Sequence, residues 1–504
     1  MRFCLLVPVL CAFIFSSCGG APESITAPTP PTVIVGLTSA DVQSVVQNAA
    51  SSVNTPLVIA VTDRGGNILA LFRKPGAPAT ATGNFGTTVD ANELAVALAR
   101  TASYFSNDQA PLSSRTVRFI SGVHFPPGIA LTPNAALYGI ENTNRGCPLN
   151  VTFLPGQTVN PSRSIDGTGL GLGIITGRAD IFDSDPTAIN PGGVPLFKNG
   201  HIVGGVGVVG ASGDITEFAA FSGAIGAGFG PTPAPPAVVI IDGIALPFVN
   251  QTTRPTGVNP GTTVGSFTIG PIASPGPVAE GDLIAITAGT VGGLTQAEVQ
   301  QIVNAALATA NQTRAVIRLP LGQRARFVIA VADLDGRLLA LNRMPDATIF
   351  SIDVAVAKAR NMIYFNSAVV NPADMPGVPA GTAVTNRTIS FGAQPFFPPG
   401  IDTSAPGPFF PLYQFDIANP CTNGRQPTNP NQNGIVFFPG SVPLYKNGVL
   451  VGGLGISGDG VEQDDFVSAG GGAGFEPAEA MRADQIVIQN VRLPYLKFPR
   501  NPTF

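Results

Sequence analysis

The sequence predicts an α/β (α+β) chain of two repeats, each an antiparallel sheet flanked by helices and enlarged by long loop-rich inserts. Three observations predict it. Blocks of the first half recur in the second half in the same order. Each series opens on an apolar stripe at helical spacing behind a capping signal. Each then carries two turn-punctuated β-rich pairs, one of them turning on Asn-Gly.

The repetition is read directly. Leu37-Thr38-Ser39-Ala40-Asp41-Val42-Gln43 answers to Leu294-Thr295-Gln296-Ala297-Glu298-Val299-Gln300. IAVTDRGGNILALFR (59–73) matches IAVADLDGRLLALNR (329–343), and ALARTASYF (97–105) matches AKARNMIYF (357–365). Arg115-Thr116 and FPPGI (125–129) match Arg387-Thr388 and FPPGI (397–401). VPLFKNGHIVGGVGVVG (194–210) matches VPLYKNGVLVGGLGISG (442–458), and GAGF and a final apolar run follow in both. Shared order makes this a duplication. The expected division is repeat 1 at 37–249, a connection at 250–293, repeat 2 at 294–496 and a tail at 497–504.

The elements follow in order. Thr38 with Asp41, and Thr295 with Glu298, are capping boxes. Behind them Val42, Val45, Val46, Ala49 and Val53 form one helical stripe, repeated by Val299, Ile302, Val303, Ala306 and Ala310. The β-rich runs around Asp63–Asn67 and Asp333–Arg337 predict hairpins. A second helix is expected at 90–105 and 352–366. Arg115–Ser121 and Arg387–Ala393 read as strands. Lys198-Asn199-Gly200 and Lys446-Asn447-Gly448 predict tight hairpins. A helix from about 214 or 462 and one strand at 238–245 or 485–492 close each unit. In the connection, LIAITAG (283–289) is strand-like.

Composition narrows the function classes. Only 12% of residues are charged, against about 25% in ordinary globular chains. With 60 Gly, 48 Pro, 44% hydrophobic residues and a mean hydropathy of +0.29, the chain is still too apolar for disorder. The net charge is -4, with no Lys/Arg cluster, which argues against nucleic acid. Two histidines exclude a multi-His metal site.

The N-terminus reads as a processing segment. Met1-Arg2, the apolar run FCLLVPVLCAFIF and the small residues Ser16-Ser17 before Cys18 form a signal peptide over 1–17. Phe15-Ser16-Ser17-Cys18 is similar to a bacterial lipobox, with Phe15 in place of the usual Leu, so Cys18 is the expected lipidation site. The run is too short to span a bilayer. Gly19 points toward the outer membrane or cell surface, and the Ala/Pro/Thr-rich stretch to residue 36 toward a tether. The localisation expected is the cell envelope, with the membrane as a partner through the lipid. Export leaves Cys147 and Cys421, for which one disulfide between the copies is expected, with two buried thiols as the alternative.

The run LTxA(D/E)V, IAVxDxxGxLLAxxR, the Ala/Lys/Arg helix and VPLxKNGxxVGGxG together resemble the GlcG/HbpS-like family of haem-binding or haem-degrading proteins. They are also similar to the C-terminal part of PduO. Repeat 2 fits best, through SIDVAVAKAR (351–360) and SVPLYKNGVLVGGLGISGDGVEQDD (441–465). The stretches 106–193 and 367–440 extend beyond the motifs. The resemblance implies a profilin-like sandwich, haem or a related tetrapyrrole as ligand in some members, and assembly as a homo-oligomer, here replaceable by an intramolecular pseudo-dimer.

Haem iron is held by His, Cys, Met or Tyr. In relatives a histidine can come from the first helix, and here neither copy has one there. The candidate haem ligands are His124 and His201, both in repeat 1; repeat 2 has Phe396 and Val449 in their places. Both also read as ordinary residues, one beside the FPPGI loop and one after a turn.

Few charges recur in both copies. Arg73, Arg100 and Arg115, with Arg343, Arg360 and Arg387, are candidate partners for ligand carboxylates, or structural partners of Asp63, Asp333 or backbone carbonyls. Asp180, Asp183 and Asp185 could hold a cation or form an Asx-turn loop. Asp90 and Glu93 could bind iron or serve a helix start. The GxGxxG runs at 205–210 and 453–458 lie in predicted strands, so they fit close helix packing better than a dinucleotide. An anion could still meet the helix start at 210–214 or 458–462.

No nucleophile elbow, paired catalytic carboxylates or Ser/His/Asp set is present, and two histidines leave little general-base capacity, which points away from a hydrolase. Two classes remain: an exported lipid-anchored protein that binds a small ligand, with haem as the family-based choice, and a surface interaction or scaffold protein without a cofactor, using the Phe/Pro-rich inserts.

Overall fold

The computed structural model describes residues 35–83, 87–118, 137–147, 173–174, 191–231, 239–241, 244–246, 248–320, 322–399 and 404–504. Repeat 1 runs α1 (Ser39–Ser52), β1 (Val58–Asp63), β2 (Ile68–Arg73), the small hairpin β3 (Thr80–Thr82) and β4 (Thr88–Asp90), α2 (Ala91–Phe105), α3 (Ser114–Arg118), β5 (Gly193–Lys198), β6 (His201–Val209), α4 (Gly213–Gly226), β7 (Val239–Ile241) and β8 (Ile244–Leu246). The connection supplies β9 (Ser266–Ile269) and β10 (Gly281–Ile284). Repeat 2 runs α5 (Gln296–Ala310), β11 (Phe327–Ala332), β12 (Leu338–Arg343), α6 (Phe350–Phe365), α7 (Asn386–Gly392), α8 (Phe410–Ala418), β13 (Ser441–Lys446), β14 (Val449–Gly458), α9 (Val461–Gly471), β15 (Val487–Ile488) and β16 (Val491–Arg492).

Each repeat centres on a five-stranded antiparallel sheet, in the order β5-β6-β1-β2-β9 and β13-β14-β11-β12-β10. Registers coincide: Ala60 faces Gly207, and Ala330 faces Gly455. Both opening helices carry the expected capping boxes, at Thr38 and Thr295. The turns at Asn199-Gly200 and Asn447-Gly448 are left-handed at both residues, the backbone that Asn-Gly tolerates and a two-residue hairpin needs.

Side-chain alternation along β6 and β14 assigns the faces. Gly205, Gly207, Gly453 and Gly455 turn toward α2 and α6, so closely that a Cβ on any of them would strike the helix backbone. The intervening Leu454 turns the other way, against α5 and α9 at Ala306 and Gly471. The glycines therefore serve close helix packing. Val42, Val45, Val46 and Ala49 on α1 are fully buried, each valine contributing roughly 1.5–3 kcal/mol.

Two sequence expectations are corrected. Residues 114–118 and 386–392 are helical, not strands. Thr385 and Thr388 exchange cap hydrogen bonds at the start of α7, and Ser113 and Thr116 do the same before α3, so local hydroxyl capping overrides the β-branched composition. The closing strands are two-residue and three-residue hairpins; in repeat 2 the left-handed Gln489 and Asn490 fold the segment back on itself.

The repeats share an extensive interface. Phe105 stacks on Phe350 with centroids 4.2 Å apart, and Ile349 N–H donates to Tyr104 O at 3.0 Å. The connection lends β9 to one sheet and β10 to the other. Segment 137–147 of the repeat-1 insert lies on repeat 2: Tyr138 packs on Tyr413, and Asn144 N–H donates to Asp353. Cys147 and Cys421 are joined there as a disulfide, with Cα atoms 5.4 Å apart. Among the described residues no helix is long and apolar enough to cross a membrane.

Candidate functional site

The end of α2 builds one wall of a cleft between the repeats. Asn107 Oδ1 accepts the N–H groups of Gln109 and Ala110, a local turn that fixes Asp108. Asp108 then accepts from His201 Nδ1 at 2.6 Å and from Ile202 N–H at 2.8 Å, at the start of β6. A carboxylate accepts, so His201 donates from Nδ1, which in a neutral imidazole puts the lone pair on Nε2. Both side chains are about a quarter exposed.

The other wall comes from repeat 2. Asp108 N–H donates to Asp346, whose carboxylate also accepts from Arg318 at 2.6 Å. Arg318 is buried and reaches Asp459 as well, and Asp459 accepts the Arg326 N–H at 2.7 Å. Burial works against the Arg318 charge, but Asp459 and Asp346 outweigh it and raise its pKa above the ordinary value. Arg318 is thus saturated. Arg324 and Arg326 differ: among the described residues neither guanidinium has an ion-pair partner. The Phe504 ring packs against Arg314 and Arg324, their guanidinium carbons 5.3 and 5.6 Å from its centroid. Together Asp108, Arg318, Arg324, Arg326, Asp346 and Phe504 help to enclose a cleft of 580 Å³, inside the usual range of about 300–1,000 Å³ for small-ligand sites.

The other sequence candidates lie elsewhere. Arg73 is spent on Asn92 and the carbonyls of Ala77 and Pro78, and Arg343 on the Ala347 carbonyl and Glu280. Arg100 and Arg360 donate to Gly66 O and Gly336 O, pinning each hairpin turn. Arg115 pairs with Glu217 and Arg387 with Asp465. None of the six lines the cleft. Asp90 caps α2, accepting from the N–H groups of Asn92 and Glu93. Cys18, His124, Asp180, Asp183 and Asp185 lie outside the described residues. Among the described residues no group of three or more His, Cys, Asp or Glu could hold a metal ion. In the insert of repeat 2, Phe397, Phe409 and Phe410 are buried rather than displayed.

The sequence singles out His201, which bonds to the cleft wall, and passes over Asp108, Arg324 and Arg326, which line the cleft. Asp108 stands outside every repeated block. The two arginines occur only in repeat 2, so a search for charges shared by both copies passes over them.

The chain is similar to several known proteins. An uncharacterized 15.0 kDa protein of Citrobacter freundii, from the dhaT-dhaS intergenic region, is 29% identical over 170 residues, which are 34% of this chain and 90% of that one. A crystal structure of a PduOC:heme complex is 25% identical, with 35% of this chain and 91% of that chain covered, at a TM-score of 0.23. Klebsiella pneumoniae protein ORFY is 20% identical over 38% of this chain and 97% of its own, at a TM-score of 0.24. A double mutant of Streptomyces reticuli HbpS is 16% identical over 40% and 97%, at 0.22. The family model described as "Haem degrading protein HbpS-like" matches residues 37–224 and again 294–471, most of the chain. The chain therefore belongs to the HbpS-like family of haem degrading proteins, as a tandem duplication of its domain.

Proposed function

We propose that this protein is an exported, lipid-anchored binder of haem or a related tetrapyrrole, held in the cleft between the repeats. The observation that carries the reading is His201: it sits behind the cleft wall, bonded through Nδ1 to the lining residue Asp108, an arrangement in which a neutral imidazole has Nε2 as its iron-binding nitrogen. Metal-bound histidines are oriented by such a carboxylate partner. The residues present fit the group further: Arg324 and Arg326 supply unpaired cations for two propionates, and Phe504 and Pro345 supply apolar surface. Family membership of both repeats supports the same ligand.

Haemin titration of the mature protein tests this. A saturable Soret shift is expected, lost in His201→Ala and weakened about 10–100-fold in Asp108→Asn. No saturable shift, or one unchanged by His201→Ala together with His124→Ala, refutes it.

Export on a lipid at Cys18 rests on the signal and lipobox-like sequence, and a disulfide suits an oxidising compartment. Mass spectrometry of the envelope-fraction protein should find an acylated N-terminal Cys18. An unmodified Cys18, or a retained leader, refutes the anchor.

A further inference from the structure

Repeat 2 buries a lysine against an aspartate where repeat 1 has neither. Lys358 on α6 and Asp464 on α9 are both almost wholly buried. Lys358 Nζ donates to Asp464 Oδ2 at 2.9 Å and to Ile456 O at 2.7 Å, and the Phe438 ring centroid lies 4.7 Å from it. By the repeat alignment, Leu98 stands at the place of Lys358 and Thr216 at that of Asp464. Repeat 1 therefore builds the same sheet and helices without either charge. In repeat 2 the backbone makes room for the pair. Gly440 has a φ of +119°, and a Cβ on it would lie 2.5 Å from Asp464 Cβ and 2.6 Å from Lys358 Nζ. Amine and carboxyl are pressed together over a residue that has no side chain.

Charge is poorly supported at this place. Asp464 Oδ1 is buried with no hydrogen-bond partner among the described residues, and an ion pair taken out of water needs its remaining lone pairs satisfied to offset desolvation. Burial pulls the Lys358 ammonium below its ordinary pKa, against the attraction of Asp464. Burial also pushes Asp464 up to about 7, against Lys358 and with the help of the Asp465 and Asp459 carboxylates. Passing one proton from Nζ to Oδ2 removes both charges and leaves a neutral amine in contact with a neutral carboxyl. Holding two reacting groups in such contact replaces an encounter between separate molecules, an advantage worth effective concentrations of about 10⁵–10⁸ M in well-oriented systems.

We propose that Lys358 and Asp464 join as an amide, an isopeptide cross-link between α6 and α9. The Nζ lone pair attacks Cγ of the protonated Asp464 carboxyl, an Nζ proton passes to the departing hydroxyl, the Nζ–Cγ bond forms and the Cγ–Oδ2 bond breaks. One water leaves, and no oxidant or reductant is consumed. Neither residue lines the haem cleft, so the cross-link stands apart from the ligand there. Tryptic digestion and mass spectrometry of the reduced, denatured mature protein test it. An unlinked chain gives 344–358, 359–360 and 447–482 as separate peptides. The cross-linked chain should instead give 344–360 joined to 447–482, lighter than their sum by one water, with fragment ions that place the branch at Lys358 and Asp464. Lys358→Met and Asp464→Ala should each give only linear peptides, and the parent spectrum decides even where a variant does not fold. A parent that shows cleavage after Lys358 and a linear 447–482, or a branched peptide that persists in either variant, overturns the proposal.

Discussion

Asp353 shows what a single residue costs and reveals in this fold. Its carboxylate is buried at the start of α6, and burial pushes its pKa up to about 6, against the Asn144 N–H, the Asn433 amide and Arg360. An acid whose native pKa lies above its unfolded value of 3.8 holds its proton more tightly when folded. Its contribution to stability is full below about pH 4 and lost as the pH rises through about 6. One pKa unit corresponds to about 1.4 kcal/mol, so the loss is at most about 3 kcal/mol. Asp353→Asn removes this dependence, so relative to the parent the variant should gain stability between pH 4.5 and 7. Urea unfolding of both proteins at the two pH values measures it, and parallel pH dependences would sink the assignment. The same burial explains why the arginines were legible as important but not as to role. Low overall charge makes Arg100 and Arg360 conspicuous in the sequence, yet their acceptors, Gly66 O and Gly336 O, are backbone atoms that no residue pattern names.

Elements in which periodicity and capping agree fold as their sequence predicts, whereas short segments take the conformation that their neighbours decide. The opening helices, both core hairpins and the glycine-rich strands follow from the spacing of apolar residues and turn types. Segments 114–118 and 386–392 do not, because a few hydroxyl caps settle them. The glycines of β6 and β14 set how closely the helices seat on the sheets. A methyl group at Gly205 would meet Ala99 O of α2, whereas one at Gly200 meets nothing within 4 Å but sits at φ +82°. Gly205→Ala must push the helix off the sheet, at about 1–3 kcal/mol by overpacking. Gly200→Ala carries only the left-handed backbone strain, about 1 kcal/mol. Thermal unfolding should therefore rank Gly205→Ala as the more damaging. The opposite order would mean that the helix is less tightly seated than its backbone contacts indicate.

For the whole molecule, the question is what holds two duplicated domains as one unit. The repetition predicted two similar bodies, and the cysteine count left one cross-link or two thiols open. The remaining ties were not legible, because they come from outside the repeated blocks: strands β9 and β10 from the connection, and segment 137–147 laid on repeat 2. Since the Cys147–Cys421 bond spans a sequence separation of 274 residues, it removes much of the unfolded chain's freedom. The usual cost of removing a native disulfide puts its contribution at about 2–5 kcal/mol. The Phe105–Phe350 stack and the two connecting strands tie the repeats without it. Replacing both cysteines by serine should therefore lower the denaturation midpoint markedly. The cleft, whose walls are Asp108 from repeat 1 and Arg318, Arg324 and Arg326 from repeat 2, should survive. Haemin titration of the double variant under native conditions should then match the parent, while urea unfolding separates them. Two free thiols in the unreduced parent would remove the cross-link, and loss of haem binding in a still-folded variant would show that the disulfide, not the shared interface, sets the cleft.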